Sequence, residues 1–416
     1  LPQTVRTVCM QADGSPGGVL FLGEAPSPED DKARKPLTGE LRRKLVEIME
    51  EARYDGPVAY DVALRSNPPE SPIKKELKTW VDNCKPYLGS SLDRLAPKRV
   101  ICLGPIAATA LLGRAIDTYS SRRGVAWIGD TPVFWVPAFK RATGNRFFMS
   151  RFEADIEWAL RVDLSTLPRP PLDGHCLIIE SVEDAEAAER DIRAAGALTL
   201  DVETAGKMYD HFFSVLCVSF TPRGKDTAWV WPEAALKNPL IFAVYRRLLE
   251  DPSLEKGGQN GKYDVKAIRY AHGIMTANYG PDSHLMRRAL YSDAKADLNT
   301  IGELVGMGGH KLELKGVLLK ARASINTARK KVKEGKLEVG DLTDALLRRA
   351  CEMTKLKADA FAYGLVARTH PQVLWRYNAL DTISTDRAIR KCQPEVAGAV
   401  HPGRKTHDLA EHYARL

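Results

Sequence analysis

The sequence predicts two successive α/β domains: a three-layer α/β/α domain with a mostly parallel sheet, then a second domain built on a mixed sheet. Three observations carry this. Over residues 1–162, apolar runs that read as buried strands alternate with helical segments, the pattern of crossover connections. At Pro168-Arg-Pro-Pro171 that pattern breaks, and residues 163–175 lack periodicity and read as a linker. In residues 176–416 three strands come close together, as an antiparallel meander, before strands and helices alternate again.

In chain order, Val19 to Gly23 is an apolar strand and Glu24 to Asp31 a Pro-rich acidic loop, followed by a helix from Gly39 to about Ala52. Pro97 to Pro105 gives a second buried strand ending at Gly104, and the Ala-rich Ile106 to Leu112 a helix. Pro132 to Pro137 is a further strand, before a polar loop and a closing helix from Phe152 to Val162. In the second domain a strand over Cys176 to Ile179 leads to a helix ending at Ala195. Ser181 suits its N-cap, and Glu183 and Asp184 complement the dipole of its first turn. Leu198 to Thr204, Val215 to Thr221 and Thr227 to Trp231 form the meander.

His310 to His370 reads as a basic helical insertion, with fourteen Lys/Arg against seven Asp/Glu, which accounts for nearly all of the formal charge of +8. Its cluster Ala328-Arg-Lys-Lys-Val-Lys333 with Lys336 fits either solvated helix faces or the path of a polyanionic strand, where each phosphate contact releases counterions.

A hydrophobic fraction of 44% in 416 residues is enough for globular cores. No run reaches the length of a membrane span and no secretory leader is evident, so a cytoplasmic protein without a membrane partner is expected. Seven cysteines at irregular positions fit free thiols in a reducing compartment, with Cys102, Cys176 and Cys217 inside apolar stretches. The first residue is Leu, which fits a processed start or a piece of a longer chain.

The chemistry centres on Asp201-Val-Glu203-Thr204, at the end of the apolar run from Leu198. Alternation along a strand points Asp201 and Glu203 to one face. Two carboxylates there repel, and a divalent cation removes that cost, whereas a solvated strand end would leave them without chemistry. Further on, Asp264 in Asn260-Gly-Lys262-Tyr263-Asp264 opens a helix, and Tyr377 and Asp381 share a helix face at i, i+4 spacing. Four acids and an aromatic hydroxyl suit two Mg2+ or Mn2+ ions about 4 Å apart, a standard means of hydrolysing phosphodiesters. No histidine is required in such a constellation.

These three segments resemble the exonuclease motifs of the proofreading domain of family A DNA polymerases, in the variant whose third motif carries Tyr. The resemblance covers about Leu198 to Arg390 and extends to Pro281-Asp-Ser283 and Ala296-Asp-Leu298 through Leu304. It implies a ribonuclease-H-like domain in which Asp201, Glu203 and Asp381 hold one metal and Asp201 and Asp264 a second through waters. Tyr377 would orient the attacking water, while Asn260, Lys262 and Thr204 would bind the substrate strand. The implied activity is 3'-to-5' exonuclease action on single-stranded DNA ends. An RNA 3'-end trimming nuclease, or a DNA-holding accessory with structural acids, are the alternatives.

The first domain, over about residues 5 to 160, resembles the uracil-DNA glycosylase superfamily, above all its iron-sulfur branch. The likeness rests on Gly23-Glu-Ala-Pro26, Cys84-Lys-Pro-Tyr-Leu88 and Pro97-Lys-Arg-Val-Ile-Cys-Leu-Gly104. Departures from that pattern imply a degenerate pocket. Leu37 stands where the family stacks a Phe on the base, Val136 where it has a catalytic His, and Glu24 remains where an acid could activate water, with Asp61 the other acid a working pocket would use. Only Cys9 and Cys84 occupy ligand positions, with Ser66 at another, so no iron-sulfur cluster is expected. A glycosylase-like domain ahead of a proofreading nuclease resembles the front half of certain bacteriophage polymerases. The chain to Leu416 has no room for the polymerase part, which would be a partner domain or subunit.

Overall fold

A computed structural model describes residues 11–66, 74–171, 174–209, 213–354 and 356–398. Its backbone divides into two units, Leu1–Pro170 with Glu303–Gly308, and Pro171–Gly302 with Gly309–Leu416.

In the first unit six strands form one sheet: β1 (Asp13–Gly14), β2 (Val19–Gly23), β3 (Val58–Val62), β4 (Arg99–Leu103), β5 (Ala126–Ile128) and β6 (Thr131–Val136), in the order β1-β3-β2-β4-β6-β5. The inner pairs are parallel, and only β1 and β5 at the edges run antiparallel. Alternation divides the strands between two cores. Phe21, Ile101 and Phe134 face Leu45 and Ile48 of α2 (Gly39–Glu51), and Phe152 and Ile156 of α6 (Arg146–Arg161). Leu20, Leu22 and Trp135 face α3 (Lys74–Leu95) and α4 (Pro105–Leu112). This is the three-layer α/β/α arrangement that the alternating pattern predicts.

Besides β3 and α3, which the sequence reading lacks, three local features differ from it. The acidic loop contains a helix, α1 (Pro28–Ala33), because Ser27 and Asp30 form a reciprocal capping box and Pro28 occupies the first turn. The polar loop after β6 holds a short helix, α5 (Phe139–Thr143). The closing helix starts six residues early, at Arg146, since the Asn145 side chain accepts from the Phe147 N–H at 2.8 Å.

In the second unit β7 (Cys176–Ile178) precedes α7 (Val182–Ala195), whose Ser181 and Asp184 form a second capping box. Strands β8 (Ala197–Ala205), β9 (Ser214–Pro222) and β10 (Ala228–Pro232) are the antiparallel meander. After α8 (Glu233–Leu236) and α9 (Pro239–Glu250), β11 (Glu255–Gly258) returns parallel to β8. Then come α10 (Lys262–His272), β12 (Tyr279–Asp282), α11 (Ser283–Leu290) and α12 (Leu298–Leu304). The sheet order is β12-β11-β8-β9-β10-β7, mixed as expected, with β8 and β9 at its centre. The basic segment folds into α13 (Leu312–Lys333), α14 (Ala345–Glu352) and α15 (Asp359–Thr369), and α16 (Pro371–Gly398) ends the described chain.

The two faces of this sheet are chemically unlike. Leu198, Leu200, Val202, Val218 and Phe220 pack on α7, α9 and α10 in an apolar core. On the opposite face Thr199, Ser219 and Thr221 are buried under α16 and hydrogen-bonded to it. Ser219 Oγ donates to the Asn378 carbonyl at 2.9 Å, Thr221 to Thr382 at 3.0 Å and Thr199 to Asp386 at 3.2 Å. Asp386 also pairs with Arg223 and Arg390. Buried polar groups are tolerable when each finds a partner, and here the partners fix how α16 lies on the strands. On β11, between β12 and β8, Lys256 is fully buried and donates to the Asp251 carbonyl, and burial lowers its pKa to about 8.

Candidate active site

Asp201 and Glu203 belong to the same polar face of β8 as Thr199, two and four residues on. Asp381 lies on α16, about one and a half helical turns before the Asp386 anchor. The register set by the Ser219, Thr221 and Thr199 bonds brings one carboxylate oxygen of each of Asp201, Glu203 and Asp381 within 4.8 Å of the others. Asp264, in the first turn of α10, is buried, accepts a hydrogen bond from the Val202 backbone and feels the Asp201 charge.

The acids are held by unequal forces. Burial, and then the charge of Asp381, raise the Asp201 pKa to about 8, while Lys311 and the 2.7 Å bond from Asn378 Nδ2 pull the other way. Burial followed by neighbouring carboxylates holds Glu203 and Asp264 well above the usual range. Burial opposes ionisation of Asp381 too, but Lys311 and His310 outweigh it and keep that carboxyl below its ordinary value. A crowd of carboxylates that resists ionising is a site that gains from a cation. An all-oxygen donor set of this kind suits Mg2+ or Mn2+.

His310 and Lys311 are partners of Asp381 beyond the four acids and the hydroxyl that the sequence points to. His310 Nε2 lies 2.5 Å from Asp381 Oδ1, and Lys311 Nζ donates to Asp381 Oδ2 at 2.9 Å and to the Tyr377 hydroxyl at 3.0 Å. The Lys311 ammonium also sits 5.0 Å from the Tyr377 ring centroid. Burial, reinforced by Asp381 and Glu203, raises the Tyr377 pKa far beyond the physiological range, so its hydroxyl stays protonated. The i, i+4 spacing does place Tyr377 and Asp381 together, bridged by Lys311.

The proposed strand-binding residues lie at the rim. Asn260 and Lys262 are exposed, and Thr204 is half-buried with its hydroxyl 2.7 Å from that of Tyr263, a residue the sequence reading left without a role. Asn260 adopts φ +56°, a left-handed conformation that Asn accepts more readily than most residues. Asp282 holds that turn, accepting from Asn260 N at 3.1 Å and Gly261 N at 2.9 Å. Gly261 is needed there, because a Cβ would meet the Tyr279 hydroxyl at 1.7 Å.

The first unit presents a different picture. Leu37, at φ +50°, is locked by Asp30, which accepts from the backbone N–H and hydroxyl of Thr38 at 2.5 and 2.6 Å. Its side chain lies over Gly23, where an added Cβ would meet it at 2.4 Å, and Leu37 and Val136 share one apolar core. Glu24 accepts from the Ile106 N–H at 2.8 Å at the start of α4, and burial raises its pKa despite that bond. Asp61 is buried and paired with Arg65. Cys84 is a free thiol that accepts from the Arg65 N–H, while Cys9 lies outside the described residues.

Comparison with known proteins assigns each half. The uracil DNA glycosylase superfamily matches residues 14–153, and the family described as 3'-5' exonuclease matches residues 176–396. The type-4 uracil-DNA glycosylase of Pyrobaculum aerophilum is 31% identical over 118 residues, covering 27% of this chain and 58% of that protein. That of Sulfurisphaera tokodaii is 25% identical over 119 residues, covering 28% of this chain and 53% of that protein. The chain thus spans little more than half the length of these relatives. Among solved structures, Trypanosoma brucei RNase D in a GMP complex aligns over 57% of this chain and 62% of that chain, with 16% identity and a TM-score of 0.32. The Aedes aegypti Nibbler EXO domain aligns over 59% of this chain and 97% of that chain, with 12% identity and a TM-score of 0.35. Because the exonuclease match extends over more than half of the sequence and contains every acid of the cluster, the chain belongs to the 3'-5' exonuclease family.

Proposed function

We propose that this chain removes nucleotides from the 3' ends of single-stranded DNA, as the proofreading nuclease of a replicative polymerase of bacteriophage type. The observation that carries the reading is the convergence of Asp201, Glu203 and Asp381 from β8 and α16 to within 4.8 Å, with Asp264 beside them. Asp201, Glu203, Asp264 and Asp381 would hold two Mg2+ or Mn2+ ions, which when bound supply a nucleophile at neutral pH and stabilise charge on the leaving oxygen. Lys311 and His310 keep Asp381 ionised, and Lys311 fixes the Tyr377 hydroxyl. That protonated hydroxyl is a donor able to orient a water. Asn260, Lys262 and Thr204 offer polar groups to the terminal nucleotides. The glycosylase-like first unit supports DNA over RNA as substrate, and the free thiols Cys84, Cys102, Cys176, Cys217, Cys351 and Cys392 fit a cytoplasmic setting.

In this reading Asp201→Ala or Asp381→Ala abolishes release of 5'-nucleotides from a labelled oligonucleotide and leaves DNA binding largely intact. Residual cleavage within about tenfold of wild type overturns it, since loss of a group acting on the transition state typically costs about 100-fold or more. Tyr377→Phe is expected to cost less than either acid. Faster turnover of a matched RNA oligonucleotide would instead make the chain an RNA-trimming nuclease.

A further inference from the structure

Asn378 follows Tyr377 on α16 and is fully buried, and the proposed function gives it no role. Its side-chain Nδ2 donates to Asp201 Oδ2 at 2.7 Å. At the other end of the amide, Oδ1 accepts from the Cys217 thiol of β9, whose sulfur lies 3.6 Å away. Cys217 is itself fully buried and is a free thiol. A carboxylate takes a hydrogen bond from the nitrogen of an amide, and a thiol gives its weak one to the oxygen. Both neighbours therefore hold the amide the same way round.

The bonds that fasten α16 to the strands do not use this side chain. They run through the Asn378 carbonyl, which accepts from Ser219 at 2.9 Å, and through Thr382 and Asp386. A buried amide has lost its water, a cost that an apolar side chain of similar size avoids. What the amide adds is a fixed direction for one carboxylate. The terminal torsion of an aspartate is broad and two-fold, and Asp201 is the acid that both ions share in the proposed reading. A hydrogen bond to one of its oxygens removes that freedom before a cation arrives. Groups bonded to a ligating carboxylate typically matter by about 10–100-fold in metal affinity or activity.

We propose that Asn378 is a positioning residue for metal binding: its amide, oriented by the Cys217 thiol, holds the Asp201 carboxylate in one rotamer, ready for a divalent cation. The inference rests on the two-ion reading of the acid cluster. The test is titration calorimetry of Mn2+ into the full chain without nucleic acid, accompanied by melting in EDTA and by nucleotide release over a Mn2+ series. Asn378→Ala is expected to weaken Mn2+ binding about tenfold or more, and excess Mn2+ to restore release to within about threefold of wild type. Asn378→Leu, which fills the space and lacks the donor, gives the same loss and reads the proposal if the Ala variant does not fold. Cys217→Val costs about threefold in Mn2+ affinity, the scale of one weak hydrogen bond. Affinity of Asn378→Leu within about twofold of wild type overturns the proposal. So does a loss of release that excess Mn2+ leaves in place, or failure of both Asn378 variants to fold, since the amide would then hold the helix and not the carboxylate. A wild-type chain that binds no Mn2+ sinks the two-ion reading itself, whereas wild-type binding with an unaltered Asn378 variant sinks this proposal alone.

Discussion

Lys256 shows how one side chain can set the pH response of the fold. Its pKa is lowered to about 8 from 10.5 by burial, so the folded state disfavours the ammonium that the unfolded chain accepts freely. Below about pH 8 both states are charged and the full penalty stands. Between pH 8 and 10.5 the unfolded chain binds the extra proton, so stability rises with pH, by at most about 3 kcal/mol. Lys256→Met should therefore differ from wild type most below pH 8, and the gap in urea midpoint should close by pH 10. Lys311 matters to chemistry instead. Its ammonium joins Asp381 to Tyr377, and Lys311→Met should slow single-turnover nucleotide release about tenfold or more, the scale of one charge-assisted hydrogen bond. Strand affinity should stay within twofold, with partial rescue by Lys311→Arg. Asp201, Glu203, Tyr377 and Asp381 are legible in the sequence because strand and helix periodicity fix which residues share a face. His310 and Lys311 are not, because their contact with Asp381 crosses some seventy residues and no local period encodes it.

At the scale of elements, the polar interface between α16 and the strands β8 and β9 does more than local capping to hold the site. Asp386 bonds Thr199 and the Gly224 N–H and pairs with Arg223 and Arg390. Removing one partner of a buried ion pair leaves the other uncompensated, so Asp386→Ala should lower the unfolding free energy by about 3–5 kcal/mol. Ser181→Ala, which removes only the cap of α7, should cost about 1 kcal/mol. Urea denaturation measures both. The α7 cap is readable in the sequence because Ser181 and Asp184 sit at the spacing a capping box needs. Helix α1 is not legible in the sequence because its prolines and acids also suit a loop, nor is α3, because Pro86 interrupts its pattern. Strand β3 is obscured because Tyr60 and Asp61 dilute its apolar run.

For the whole molecule, the order of a glycosylase-like half and an exonuclease half is visible in the sequence, as each half carries its own alternation and motifs. The grouping of Glu303–Gly308 with the first unit is not, since only three-dimensional packing assigns it. Carboxylates that resist ionising in the folded state should make the protein respond to divalent ions. A cation that binds only the folded chain adds about 2.7 kcal/mol at a hundredfold excess over Kd. The melting midpoint should thus rise with Mg2+ or Mn2+ in the wild type and fail to rise in Asp201→Ala, as followed by calorimetry. The acid cluster draws on β8 and on α16, and that separation bears on the protein's birth. At roughly 5–20 residues per second, a ribosome needs about 9–36 s to pass from Asp201 to Asp381. Throughout that interval the nascent chain holds the first two carboxylates without the third. An emerging polypeptide thus carries an incomplete acid cluster until α16 has docked on β8.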